Sequence, residues 1–277
     1  MSQMQAMAVF FDLNLPPTLS KQTAPIFFAH ANGFPGGSYQ PLFDAMKPLQ
    51  VYFIDNISDN IEEVFPRLKP LVKKLEGEIR NRFDRPIIGI GHSLGGILMF
   101  FVAKKNPELF EQVIFLDPPF FRPSKRLLVG TVGKIGLGDV VPVAKLAANR
   151  REFFSSQEKA ETYFKSKRLF KRAHPDTARH FVKHGLVPEE KKWRLRIPPA
   201  FERAVYLNLP ITLGDKQLEI PSHFLYATGH DVLSARDLRW LKRNFSETEF
   251  IPIEGNHMFP LEAPEAVANE IRKCLVA

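Results

Sequence analysis

The stretch Gly91-His92-Ser93-Leu94-Gly95 sets a serine two residues from a glycine on each side. A serine hydroxyl is a weak nucleophile until a base takes its proton. A sharp strand-to-helix turn can lift that hydroxyl clear of a sheet, and flanking glycines let strand and helix approach there without Cβ clashes. An apolar run, residues 86–90, precedes the motif and a helix-like run, 94–103, follows it. A glycine-rich strand–helix connection without chemistry would look similar in isolation, so a base, an acid and an oxyanion site must be found elsewhere.

His257, in Glu254-Gly255-Asn256-His257, is the candidate base. It leaves a strand-like run, 249–253, just before the last helix pattern. Asp231, in Thr228-Gly229-His230-Asp231, is the favoured acid, because it also follows a strand-like run and falls between serine and histidine in chain order. Asp117, at the end of QVIFLD, is the rival acid; its alternative role is hydrogen bonding within the Pro118-Pro119 turn. A glycine-rich loop, residues 30–37, follows the run 25–29. The expected oxyanion donors are the backbone N–H groups of Phe34 and of Leu94, the residue after the serine. His30, Asn32 and His92 are read as support for these loops or as part of a substrate pocket.

These residues need elements that bring their loops to one edge. Apolar runs at 8–13, 25–29, 51–55, 86–90, 112–117, 223–228 and 249–253 read as strands covered on both faces. Helix patterns fall at 60–82, 94–105, 233–243 and 262–274. Strand alternating with helix predicts an α/β fold with a mostly parallel sheet flanked by helices. The alternation breaks after Pro118-Pro119 and resumes at Pro221. The expected organisation is a discontinuous core, 1–117 and 221–277, carrying a helical cap over 118–220.

Four motifs in this order, HANGFPGG, GHSLGG, GHD and EGNH, resemble the α/β-hydrolase superfamily, and the match runs through nearly the whole core. The resemblance implies an eight-stranded, mostly parallel sheet with an inserted helical cap. It implies Ser93 as nucleophile, His257 as base and Asp231 as acid, with Phe34 and Leu94 as oxyanion donors. HANGFP is longer than the family's usual His-Gly loop. Members that open epoxides or displace halide carry aspartate at the elbow, so serine points to acyl substrates. Ester cleavage through an acyl-enzyme is the leading expectation. Lactone opening, carbon–carbon bond hydrolysis and cofactor-free haloperoxidase or perhydrolase chemistry use the same triad, and some members only bind ligands. No cofactor and no metal is called for. The segment 193–199 with Glu202 and Tyr206 loosely resembles a cap segment of some members.

Composition limits the partners. The 277 residues are 44% hydrophobic and 25% charged, ordinary for a globular protein. The single cysteine, Cys274, forbids an intrachain disulfide and a cysteine metal cluster. No run approaches the roughly 18 apolar residues of a membrane span, and the first residues lack a signal-peptide pattern; a cytoplasmic protein is expected. The net charge of +8 is concentrated in the cap. A solvated basic face accounts for it, with contact to a membrane surface as the secondary reading, and no nucleic-acid module is visible. The expected partner is a small apolar acyl compound; the oligomeric state is open. His180 and His184 share a helix face but lack the glutamate of a zinc motif, and the irregular Gly133, Gly136 and Gly138 follow no strand, so neither set is assigned a ligand.

Overall fold

The computed structural model describes residues 24–276 apart from 135–140, 211 and 215–216, with no side-chain description for 129–134. The run 8–13 and the glycines 136 and 138 lie outside the described residues.

The chain begins with β1 (Ile26–Ala29), passes the loop 30–39 into α1 (Gln40–Ala45), and returns through β2 (Val51–Phe53), α2 (Lys69–Arg82) and β3 (Ile87–His92). The serine turn leads into α3 (Leu94–Lys105), followed by β4 (Phe110–Leu116). An insertion then carries α4 (Pro123–Lys134), α5 (Pro142–Ala148), β5 (Phe153–Phe154), α6 (Gln157–Lys165), α7 (Arg168–Arg172), α8 (Thr177–Gly185), β6 (Leu186–Glu189), β7 (Lys192–Leu195) and α9 (Pro199–Leu207). The main fold resumes with β8 (Ser222–Ala227), α10 (Ala235–Asn244), β9 (Thr248–Ile253), α11 (Phe259–Glu262) and α12 (Pro264–Val276).

Among the described residues the main sheet has six strands, in the order β2-β1-β3-β4-β8-β9, rather than the eight implied by the resemblance. Every pairing in it is parallel. The four inner strands are buried on both faces almost throughout, which is why they read as continuous apolar runs, whereas edge strands β2 and β9 are partly exposed. Alternate side chains feed two cores. Phe28, Ile88, Ile90, Ile114 and Leu225 pack with Leu42, Val267 and Ile271. Phe27, Ile87, Val113, Phe115 and Phe224 pack with Leu75, Ile79, Phe100 and Leu241. Each fully buried Phe or Leu contributes about 1.5–3 kcal/mol relative to exposure. Most of α3 is buried, from Leu94 to Phe100 and again at Val102-Ala103, so it shows no polar stripe.

The insertion is more than helices. Its strands form a separate antiparallel sheet, β5-β7-β6. That sheet was not legible as strands because β5 is two residues long and β6–β7 is a charged hairpin turning at Glu190, φ +52°. Aromatic rings of the insertion close over the loop after β1. Phe34 meets Phe181 at 5.4 Å and Phe170 at 5.9 Å between centroids.

Candidate active site

In a doubly wound sheet, ligands bind beyond the carboxyl ends of the strands where the winding direction reverses. Here that point lies between β1 and β3, since the chain moves outward to β2 and then back through β3 to β4. The loop after β1 and the serine turn after β3 therefore leave neighbouring strands side by side. Gly95 N–H donates to His30 O at 3.0 Å and joins them.

Ser93 sits at φ +52°, ψ −112°, a conformation costly for a residue with a Cβ. The surrounding contacts fix it. Ser93 N–H donates to Leu116 O at 3.0 Å, and Ile97 N–H donates to Ser93 O at 3.1 Å. The two glycines are required by close approach. A Cβ on Gly95 would stand 2.1 Å from Ala29 O, and one on Gly91 would stand 2.6 Å from the backbone of Gly95.

The Ser93 hydroxyl faces His257 Nε2 at 2.9 Å. The other ring nitrogen, Nδ1, faces Asp117 Oδ2 at 2.7 Å. Asp117 is 1% exposed, and its Oδ1 accepts from Ala227 N–H at 3.3 Å. With a carboxylate on Nδ1, that nitrogen carries the proton and Nε2 is left to accept from the serine.

This arrangement corrects the expected acid. Asp231 does not reach the imidazole; its two oxygens accept from the backbone N–H of His257 at 2.9 and 3.2 Å. With the imidazole held over Ser93, its Nδ1 falls beside β4, the neighbour of β3, and meets Asp117 just after β4; Asp231 follows β8, which adjoins β9, and so meets the backbone of the loop after β9. Asp231 thus holds the loop that carries the histidine, and Asp117 holds its ring. Both acids satisfy the chain order serine, acid, histidine, so order alone could not separate them.

The supporting histidines are buried. His92 Nδ1 meets the Tyr39 hydroxyl at 2.6 Å and its Nε2 meets His257 O at 2.9 Å. The carbonyl can only accept, so His92 donates from Nε2 and accepts from Tyr39. Burial, then the nearby His257 ring, pushes the His92 pKa well below its ordinary value. His30 accepts from Ile57 N–H at Nε2, 3.2 Å, and places Nδ1 2.8 Å from Ala31 O. Burial lowers its pKa as well. Both rings brace loops. Tyr39, absent from the expected set, lies in no motif and is reached only by the fold.

On the oxyanion side, Leu94 is the first residue of α3, so its N–H has no partner within the helix and lies at the positive end of the dipole. Phe34 differs from expectation: its N–H donates to Ala31 O at 3.2 Å in the turn 31–34. Asn32 Nδ2 donates to Glu202 O at 2.9 Å. Arg150 pairs with the Glu202 carboxylate and donates to Gly33 O at 3.3 Å. Glu202, quoted above only as part of a loose cap segment, is buried. The insertion thus clamps the loop after β1 through a cation–carboxylate pair whose members are 52 residues apart. His180 and His184 lie on a partly buried face of α8. His184 Nδ1 lies 3.0 Å from Asp55 Oδ2, packed against Gly37, and His180 Nδ1 is buried without a partner. Among the described residues, no group of three or more His, Cys, Asp or Glu is placed to hold a metal ion.

Residues 26–270 match the model of the alpha/beta hydrolase family. The chain belongs to that family. Solved structures with the same fold include E-2-(acetamidomethylene)succinate hydrolase, at TM-score 0.73 and 18% identity over 92% of each chain. The thioesterase domain from the curacin biosynthetic pathway aligns at TM-score 0.70 and 14% identity over 92% of each chain. An esterase of Mycobacterium tuberculosis aligns at TM-score 0.67 and 16% identity, covering 92% of this chain and 86% of its own. At such identity the likeness is one of fold. A search of curated proteins finds no match. Among the described residues, no helix is long and apolar enough to cross a membrane.

Proposed function

We propose that the protein is a serine hydrolase that cleaves a carboxylic ester or related acyl bond through an acyl-enzyme. The observation that carries this reading is the continuous relay from Ser93 Oγ to His257 Nε2 at 2.9 Å and from His257 Nδ1 to Asp117 at 2.7 Å. Ser93 Oγ bonds to the acyl carbon while its proton passes to His257 Nε2. Asp117 fixes the imidazole tautomer and stabilises the imidazolium without taking the proton. The carbonyl oxygen gains negative charge and takes a hydrogen bond from Leu94 N–H, a donor of a kind that contributes about 3 kcal/mol. The imidazolium then protonates the leaving oxygen. Water, deprotonated by the same nitrogen, releases the acid and restores the serine.

An apolar acyl group is part of this reading; the insertion covers the loop after β1 with packed aromatic rings, Phe170 and Phe181 on Phe34. Esterases and a thioesterase among structures of the same fold agree with acyl transfer. The test is intact mass after treatment with a fluorophosphonate. A single adduct is expected on the wild-type protein and none on Ser93→Ala. Equal labelling of the two would remove Ser93 from the nucleophile role. No adduct on the folded wild-type protein would favour a ligand-binding member of the family.

A further inference from the structure

Ser93 caps the N-terminal end of α3. At the opposite end, about 18 Å away by helix rise, α2, α3 and the residues Pro210, Thr212, Leu213 and Gly214 border a groove of about 1070 Å³. This is the volume class of a ligand site, and its charge is one-sided. Among the described residues, Arg67, Lys69, Lys73, Arg80, Lys104 and Lys105 line it with one carboxylate, Glu76. That carboxylate is already engaged, by Arg80 at 3.2 Å and by Lys105 at 3.1 Å. Lys69 and Lys73 have no carboxylate partner among the described residues. They stand four residues apart on α2, where like charges repel across one turn. Between the cations the floor is apolar, formed by Val72, Phe101 and Leu213.

Gly77 continues the stripe of Lys69 and Lys73 by one more turn and lines the same groove. Glycine inside a helix costs about 1 kcal/mol relative to alanine. Packing does not require it here, since a Cβ would meet nothing within 4 Å. Apolar floor, cationic rim and a missing side chain on open space describe a slot for something long and thin with a negative end.

We propose that this groove binds a single-chain amphiphile with an anionic head, a carboxylate or a phosphate. The acyl chain lies along Val72, Phe101 and Gly77, and the head sits between Lys69 and Lys73. The site is separate from Ser93 and does not depend on the hydrolase reading.

The test is calorimetric titration of the full chain with dodecanoate and with dodecyl phosphate, both below their micellar concentrations, against dodecyl maltoside. Saturable binding of at least one anionic compound is expected, weakened by added salt, with none of the neutral one. The two heads distinguish a carboxylate source from a phosphate source. Lys69→Glu/Lys73→Glu is expected to weaken binding by about tenfold or more, and Gly77→Leu to abolish it by filling the slot. Both variants should react with fluorophosphonate at the wild-type rate. Equal affinity for dodecyl maltoside, or unchanged affinity in the double lysine variant, would overturn the proposal. That result is distinguishable from a failure at Ser93, which is read from labelling alone.

Discussion

Replacing the Asp117 carboxylate with an amide leaves its size and removes its charge. Because Asp117, and not Asp231, faces Nδ1 of His257, Asp117→Asn is expected to lower kcat on the order of 10⁴-fold, through loss of the correct tautomer and of imidazolium stabilisation. Asp231→Asn leaves the ring bond in place and loosens only the loop amide, so its effect should be far smaller. Steady-state rates on a chromogenic ester compare the two variants directly. A larger loss for Asp231→Asn would return the acid role to that residue.

At the scale of elements, the serine turn works because α3 can press against β1. The limiting contact is Gly95 against Ala29 O, where a Cβ would stand at 2.1 Å. Backbone on both sides leaves nothing flexible to give way. Gly95→Ala is therefore expected to destabilise the fold by more than about 3 kcal/mol, among the severe class of point mutations. Urea denaturation measures it. Gly77→Ala offers the contrast, because the new methyl meets no atom and helix propensity improves by about 1 kcal/mol. The two glycines look alike in sequence and should shift stability in opposite directions.

For the whole molecule, the buried histidines couple the site to global stability. His30 and His92 are both 3% or less exposed, and burial holds both pKa values below 6.5. The unfolded chain therefore takes up their protons first as pH falls. The stability they permit is fully present above about pH 6.5 and is lost below it, at up to about 1.4 kcal/mol per pH unit for each residue. Denaturation at pH 7.5 and 5.5 should show this slope, and His92→Gln should reduce it by one residue's share. An unchanged slope in His92→Gln would mean that His92 takes up its proton as readily in the folded as in the unfolded chain.

The local pattern of apolar and glycine residues was enough to place Ser93 on a strand-to-helix turn, to set His257 after the last strand and to anticipate the parallel sheet, because each depends on neighbours within a few positions. Phe28 and Phe27 alternate between the two cores as a buried strand must. What pairs with what across the sheet was not local. Choosing Asp117 over Asp231 required knowing that the imidazole sits over Ser93 and beside β4, which only the assembled sheet shows. Tyr39 reaches His92 across 53 residues and Arg150 reaches Glu202 across 52, and neither pair carries a spacing that could reveal it. The short strands of the insertion escaped for the related reason that two to four residues hold too little periodicity to separate a strand from a loop. The sequence by itself determined the chemistry available and the edge of the sheet where it would gather. Tertiary structure alone decided which acid meets the imidazole, which amide is already engaged, and which cations share a groove, because those outcomes depend on strand order and close packing between distant segments.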